Sequence, residues 1–358
     1  MMSFFSGKEV VGLDIGSGAI KLVQLKKSKQ GYSLQKFGVL PIDPELIVDG
    51  AVMDASQVVS AIRELVGREG VRVKKVAFSV SGHSVIVKKI NLPLMTEEEL
   101  QESIKWEAEQ FIPFDINDVN IDFHILQTPD FQREEGQMPV LLVAVKKDKL
   151  MEYMNIILEA GLQPVIGDVD SFALENMCLL NYDFKEGETV AVVNVGASVM
   201  NISVLKGGIF SFTRDISIGG KQYNEVLQRE ADLSFDQAER AKRAEVIEGV
   251  DGPQVDQIVQ RLNFDLVSEM LRSFDYFKTA SPNESIDRIL VSGGSAKLPD
   301  LISLITERLA IKAELVNPFA RIKIPPDKFD VAWVNEMAPH AGVGVGLALR
   351  RVGDRWSE

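Results

Sequence analysis

The sequence predicts an α/β protein of two duplicated lobes with a smaller α+β unit inserted in the first, on three observations. A strand–turn–strand segment occurs twice, once near the start and once past the middle. Two double-glycine turns that feed helices follow the second copy. Between the copies, one stretch of the chain abandons that pattern for a strand, helix, strand, strand, helix series of its own.

The length of 358 residues exceeds one ordinary domain and fits two lobes. An apolar share of 46% and a charged share of 25% are those of an ordinary globular protein. The first copy of the repeat is Val10-Val-Gly-Leu-Asp-Ile-Gly-Ser-Gly-Ala-Ile-Lys-Leu-Val-Gln-Leu-Lys26. The second is Val190-Ala-Val-Val-Asn-Val-Gly-Ala-Ser-Val-Met-Asn-Ile-Ser-Val-Leu-Lys206. Asp14 and Asn194, Gly16 and Gly196, and Leu25 and Leu205 are each separated by 180 positions. Both copies read as a buried strand, a turn opening on glycine, and a strand with alternating apolar positions.

The turns carry the chemistry. Glycine lets the backbone bend sharply and approach a ligand, and successive N–H groups then point into one space. Gly16, Ser17 and Gly18 suit phosphate oxygens, and Asp14 at its strand end suits Mg²⁺ held through water. Two such hairpins facing each other would clamp a polyphosphate from both sides. Neither turn fits G-x-x-x-x-G-K-[ST] or a strand-to-helix G-x-G-x-x-G, which argues against P-loop and Rossmann readings.

The inserted stretch begins with a strand from His83 to Leu92 that Pro93 ends. Thr96 reads as a helix N-cap with Glu99 completing a capping box. The helix places Leu100, Ile104 and Phe111 on one stripe and stops at Pro113. Strands at 119–127 and 139–146 and a helix at 149–160 follow. The segment 127–137, with Pro129, Glu134, Glu135 and Gly136, reads as a solvated hairpin connection.

In the second half, Ile218-Gly-Gly-Lys-Gln-Tyr-Asn-Glu-Val-Leu227 is a double glycine feeding a helix. Ile289-Leu-Val-Ser-Gly-Gly-Ser-Ala-Lys-Leu-Pro299 is a buried strand, a double glycine, and a helix from about Leu298 to Leu309. A base or ribose can lie against backbone where side chains are absent. The stripe Phe264, Met270, Leu271, Phe274, Phe277 at helical spacing predicts core. His83, His124 and His340 show no paired metal spacing and read as structural or surface residues.

The order hairpin, hairpin, Gly-Gly-helix, Gly-Gly-Ser-Ala-helix resembles the actin, Hsp70 and sugar-kinase superfamily, with its actin-like ATPase fold. Within it the chain resembles the PilM family, the FtsA-like cytoplasmic proteins of type IV pilus assembly. The likeness rests on Gly12-Leu-Asp-Ile-Gly-Ser17, Leu92-Pro93 through Glu107-Ala-Glu-Gln-Phe-Ile-Pro-Phe114, Gly167-Asp-Val-Asp-Ser-Phe-Ala173 and Val291-Ser-Gly-Gly-Ser295. It implies a first lobe (1A) over 1–82 and 163–188, and an inserted 1C-like unit over 83–162 that binds a partner. The second lobe (2A/2B) covers 189–340, and a C-terminal helix over 341–358 returns to the first.

The resemblance also implies roles for single residues, with ATP or ADP and Mg²⁺ as ligands. Asp14, Gly16, Ser17 and Gly18 form the first phosphate loop with Lys21 nearby, Asp14 facing the metal through water. Asn194, Gly196, Ala197, Ser198 and Asn201 form the second. Gly219 and Gly220 open a helix beside the nucleotide, and Glu239 and Lys242 flank the adenosine. Gly293, Gly294, Ser295 and Leu298 close its pocket. Asp170 takes the place of an acidic or amide group near the attacking water. The second loop departs from active relatives, with Asn194 for an acid and Val199-Met200 for a pair of hydroxyls. An amide supplies no anionic charge for Mg²⁺, so binding is expected to survive and turnover to be weak.

The expected partner is the short N-terminal cytoplasmic tail of PilN, a bitopic membrane protein, lying between the 1A-like and 1C-like parts. PilO and PilP follow through PilN, the motor components PilB, PilT and PilC through PilN or directly, and self-association stays open. A net charge of −13 argues against a nucleic-acid footprint and against lying on an anionic membrane. No apolar run reaches the ~20 residues of a membrane helix. Residues 1–8 lack signal-peptide character, and Cys178, the single cysteine, agrees with a reducing compartment. The localisation implied is cytoplasmic, peripheral to the inner membrane through PilN. The rival functions are an FtsA-like division protein, which needs a basic amphipathic C-terminal helix, and a sugar or acetate kinase, which needs a catalytic acid that Asp170 could provide.

Overall fold

In the computed structural model, residues 9–48, 50–126, 136–282 and 284–353 are described. The first lobe opens with β1 (Val11–Ile15), β2 (Ala19–Ser28), β3 (Gly31–Pro41), the small hairpin β4 (Ile47–Val48) and β5 (Ala51–Val52), α1 (Ala55–Arg68) and β6 (Lys75–Val80). Next come β7 (Val85–Pro93), α2 (Glu97–Glu109), β8 (Val119–Ile125), β9 (Gln137–Lys146) and α3 (Lys147–Glu159). Then β10 (Gln163–Val169) and α4 (Asp170–Asn181) lead to β11 (Thr189–Val195), β12 (Met200–Lys206) and β13 (Ile209–Ile216). Helices α5 (Gly220–Glu230), α6 (Phe235–Ala241) and α7 (Gly252–Ala280) precede β14 (Arg288–Ser292), α8 (Leu301–Leu309), β15 (Lys312–Leu315) and β16 (Ile322–Lys323). The described chain closes with α9 (Val331–Met337) and α10 (Gly342–Leu349).

The duplication extends beyond the hairpins to whole sheets. The first sheet runs β10-β6-β1-β2-β3-β16 and the second β13-β12-β11-β14-β15. In each, three antiparallel strands are continued by two parallel ones, β6 and β10 beside β1, β14 and β15 beside β11. The register repeats too, since Asp14 lies opposite Lys21 and Asn194 opposite Asn201. Buried runs such as Val11–Ile15 and Val190–Val193 have no exposed side, as strands covered on both faces must.

Between the two sheets lies a shared apolar layer of α4 and α10. Ala173, Leu174, Met177 and Cys178 pack there with Val343, Val345 and Leu347, against Val23 of one sheet and Val192 of the other. Helix α10, Gly-Val-Gly-Val-Gly-Leu-Ala-Leu, is apolar all round because it is enclosed all round. Its glycines let backbone meet backbone. A Cβ on Gly346 would fall onto the Ala173 carbonyl, and one on Gly12 of β1 would run into the backbone of Gly344 and Ala348.

In the inserted stretch, the antiparallel sheet β7-β9-β8 and α2 form a small core of their own. The capping box is present, Thr96 accepting from the Glu99 N–H while Glu99 accepts from the Thr96 N–H. Helix α3 packs differently from the rest of 83–162. Tyr153, Ile156 and Ile157 are buried with Leu13, Leu22 and Phe78 in the first lobe's core, so the independent part ends with β9. The hairpin connection expected over 127–137 falls, for 127–135, outside the described residues, as do 354–358 at the end of the chain.

The aromatic stripe on α7 needs correction. Met270, Phe274 and Phe277 are core, whereas Phe264 is 45% and Leu271 36% exposed. Positions 270, 274 and 277 follow the i, i+4, i+7 line that faces the sheet, and 264 and 271 share the neighbouring line. The Arg308 guanidinium covers the Phe264 ring at 4.2 Å.

Glu175 sits on α4 within the shared layer, 7% exposed, and its Oε2 has no hydrogen-bond partner. Burial, with the nearby Asp168 carboxylate adding to it, pushes its carboxyl up to about 8. A raised folded pKa gives stability that is complete below the unfolded value near 4.5 and is lost as pH rises toward 8. Glu175→Gln is therefore expected to leave the thermal midpoint at pH 5 little changed and to add on the order of 1–3 kcal/mol at pH 8.5. Parallel pH–stability curves for the two proteins would contradict this.

Candidate functional site

A cavity of about 440 Å³ lies between the lobes, where the turns of the two repeated hairpins meet. Each turn is closed by the same backbone bond, Gly16 N–H to the Ala19 carbonyl at 3.2 Å and Gly196 N–H to the Val199 carbonyl at 3.0 Å. The tips nearly touch, since a Cβ on Gly18 would sit 2.9 Å from the Ala197 Cβ. Only very small residues allow two turns to approach so closely, which is why both are built from glycine, alanine and serine.

The strand ends beneath the turns present acid and base. Asp14, 8% exposed, is raised by burial and by Asp170, and the Lys21 ammonium, 3.2 Å away, opposes that rise. A buried carboxylate is costly without a cation beside it, so Lys21 is its intrinsic partner. Asp170 opens α4 at the cavity edge and accepts a 2.5 Å hydrogen bond from the Ser79 hydroxyl. On the second lobe the corresponding positions hold two neutral amides that lead to the Asp215 carboxyl. The Asn194 amide donates to Asn201 Oδ1 at 2.9 Å, and the Asn201 amide donates to Asp215 Oδ1 at 2.8 Å. The Ser198 hydroxyl is buried at this end without a partner.

At the other end Glu239 gathers three donors. Lys242 Nζ at 2.5 Å and Asn224 Nδ2 at 2.9 Å donate to Oε2, and Arg243 at 2.5 Å donates to Oε1. Burial would raise the Glu239 carboxyl, but these partners, Lys242 foremost, hold it below the usual range. Gly293, with φ +103°, takes a left-handed conformation that glycine favours, and a Cβ there would strike the Val195 backbone.

Nearly all the residues singled out from the sequence line this cavity: Asp14, Gly16, Ser17, Gly18, Lys21, Asp170, Asn194, Gly196, Ala197, Ser198, Asn201, Glu239, Lys242, Gly293, Gly294 and Ser295. Three stand behind it. Gly219 and Gly220 lock α5 against the second turn, with Gly220 N–H to the Gly196 carbonyl at 3.0 Å and Lys221 N–H to the Ala197 carbonyl at 2.8 Å. Leu298 is buried in the second lobe's core with Ala296 and Leu301. An apolar side chain following a turn at the top of a sheet gains more by entering the core than by facing a polar cleft.

Several lining residues escaped the sequence reading. Asn224 was legible, because it lies one helical turn beyond Gly220 on α5 and so shares its face. Ser79, Tyr153 and Phe235 carried no motif. His340, read as a lone structural histidine, lines the cleft with its ring against Gly294, 3.0 Å from where a Cβ would be. Burial pushes its imidazole down to about 4, so it is neutral at pH 7.

Two lobes of like topology, joined through α4 and α10 and meeting at paired hairpin turns, define the actin-like ATPase fold. The profile of the type IV pilus assembly protein PilM family matches residues 12–352, and the chain belongs to that family. It is similar to a solved PilM-PilN type IV pilus biogenesis complex, at TM-score 0.84 and 29% identity, covering 96% of this chain and 98% of that one. The ethanolamine utilization protein EutJ from Carboxydothermus hydrogenoformans shares the fold, at TM-score 0.56 and 16% identity, covering 95% of this chain and 89% of that one. Among the described residues no helix is long and apolar enough to cross a membrane.

Proposed function

We propose that the chain is a nucleotide-binding scaffold of the type IV pilus inner-membrane platform. ATP or ADP with Mg²⁺ occupies the cleft, and the N-terminal cytoplasmic tail of a PilN-type protein binds where β7–β9 and α2 meet the first lobe. The residues fit such a ligand on this chain's own chemistry. Unpartnered Ser198 Oγ and Asn224 Oδ1 lie at opposite ends of the cleft, the two glycine turns leave room for oxygens, and Asp14 offers a carboxylate to a cation. A bound nucleotide would supply the negative charge that both turns can share across the cleft. The engagement of Asn194 with Asn201 supports slow turnover, because neither amide carries the charge that positions a metal or a water strongly.

Partner binding is carried by one observation, the likeness over 96% of the chain to a protein solved as a PilM-PilN complex. The small sheet, with β7 and β8 as its outer strands, adds nothing to the phosphate end of the cleft and is suited to an extended peptide. On this reading the scaffold reaches PilO and PilP through PilN, and PilB, PilT or PilC through PilN or directly.

The test combines titration calorimetry, steady-state phosphate release and peptide capture. Mg-ATP is expected to bind with micromolar affinity and to turn over more slowly than about one per second. An immobilised PilN N-terminal peptide is expected to hold the full chain and to lose a variant in which residues 85–146 are replaced by a short linker. That boundary keeps α3, which the first lobe needs, and Val85 pairs with Val145, so the cut ends lie side by side. Undetectable nucleotide binding sinks the first half of the proposal, and full capture by the shortened chain sinks the second.

A further inference from the structure

The inserted unit is fastened to both lobes. Its root, Gly82 and His83, follows β6 of the first lobe, yet both residues bond to the second. The Gly82 N–H donates to Asp215 Oδ2 at 2.6 Å, and His83 Nε2 lies 3.0 Å from the Ser217 hydroxyl. Further along, Val85, Val87 and Leu141 of the insert pack with Phe210 of β13 and Phe172 of α4, the two rings meeting edge to face at 5.7 Å.

Asp215 joins this root to the cleft. Its Oδ1 accepts from Asn201, and Asn201 accepts from Asn194, both lining the cavity on the second turn's strands. Asp215 itself does not line the cavity. A continuous line of hydrogen bonds therefore runs Asn194, Asn201, Asp215, Gly82, and crosses from one lobe to the other at its last step. Both carboxylate oxygens are used, one on each side, so a shift of β12 relative to the first lobe must strain one bond or carry the insert with it. Burial pushes the Asp215 carboxyl up while the Asn201 and Gly82 donors oppose that rise, and breaking either bond would strand a buried carboxyl oxygen.

We propose that Asp215 is a positioning residue that couples occupancy of the cleft to the root and first strand of the inserted unit. The inference rests on the nucleotide reading above and goes beyond it, by naming the route through which the cleft and the insert sense each other.

Hydrogen exchange followed by mass spectrometry on the full chain, with and without saturating Mg²⁺ and a non-hydrolysable ATP analogue, tests it. The Gly82 amide is itself one of the bonds. In the wild type the analogue is expected to slow exchange at the turns around 16–18 and 196–198, and also about fivefold or more over 81–93. In Asp215→Asn the turns should still be protected and the response over 81–93 should vanish, because one amide oxygen cannot accept from both neighbours while its NH₂ faces a donor. The reciprocal double substitution Asn201→Asp with Asp215→Asn restores an acceptor for each donor, and at saturating analogue should recover the response. That recovery would tie the response to the hydrogen-bond line itself and not to a carboxylate at position 215. The inference is overturned if Asp215→Asn keeps the response over 81–93, or if the swap protects the turns without recovering it. Turns protected in the wild type with no change over 81–93 overturn it without any variant. If the turns themselves gain no protection, the nucleotide reading fails and takes this inference with it.

Discussion

Gly346→Ala is expected to cost more than about 4 kcal/mol of stability, enough to remove most of the folded protein at 37 °C. The new methyl would fall onto the Ala173 carbonyl of α4, and backbone cannot yield as a flexible side chain can. Relief requires α10 to move away from α4, which opens the apolar layer shared by both sheets. Overpacking of a well-packed core typically costs 1–3 kcal/mol, and here the clash is with backbone on a helix enclosed on every side. Gly67→Ala is the control. It lies in α1 with no atom within 4 Å of the added Cβ, and should be neutral or stabilising by up to ~1 kcal/mol. Urea midpoints of the two variants read the contrast directly. A soluble Gly346→Ala protein with a wild-type midpoint would mean that α4 and α10 are not held at the spacing described.

Asp14→Ala is expected to weaken Mg-ATP binding by ten- to a hundredfold in calorimetry, about 1.4–2.7 kcal/mol. Asp14 and Asp170 line the cleft beside the two hairpin turns, and Asp14 pairs with the Lys21 ammonium at 3.2 Å. Alanine removes the oxygens that suit a hard cation. Asp14→Asn keeps the shape and separates loss of charge from loss of packing, and should weaken Mg-ATP more than Mg-free nucleotide. The pH dependence has a definite sign. Burial raises the Asp14 carboxyl above its ordinary value, so acidification protonates it earlier than an exposed aspartate, and affinity for the magnesium complex should fall with it. Equal affinity for Mg-ATP in wild type and both variants would remove Asp14 from the site.

The repeat made much of this legible in advance. Two segments separated by 180 positions, each a buried strand, a glycine turn and an alternating strand, dictate two hairpins whatever surrounds them. The structure extends that identity to the order of five strands in each lobe, a consequence of duplication that no local pattern carries. Helix α2 was equally legible, since Thr96, Glu99 and the Leu100–Ile104 stripe act over single turns. The cleft-lining residues of the two turns followed from the turns themselves, because glycine and serine at a strand end make a tight turn that leaves backbone N–H groups uncovered.

What escaped was decided between elements distant in sequence. Leu298 and Gly219 sit beside residues that face the cleft, yet core burial draws one away and the fit of α5 against the second turn uses the other. Helix α3 looks like part of the insert by continuity, and belongs to the first lobe because its apolar face matches that sheet. His340 reaches the cleft only because α10 and the short turn before it thread between the lobes. The sequence by itself determined two glycine-turn hairpins and helix α2, since these depend on contacts within a few residues, and its motifs along the chain pointed to the family. The tertiary structure alone decided which helix belongs to which core, what stands around Glu239 at the far end of the cleft, and that Asp215 meets Gly82, 133 positions away. Such pairings are selected by burial and hydrogen-bond satisfaction across the whole molecule, and leave no local periodicity to read.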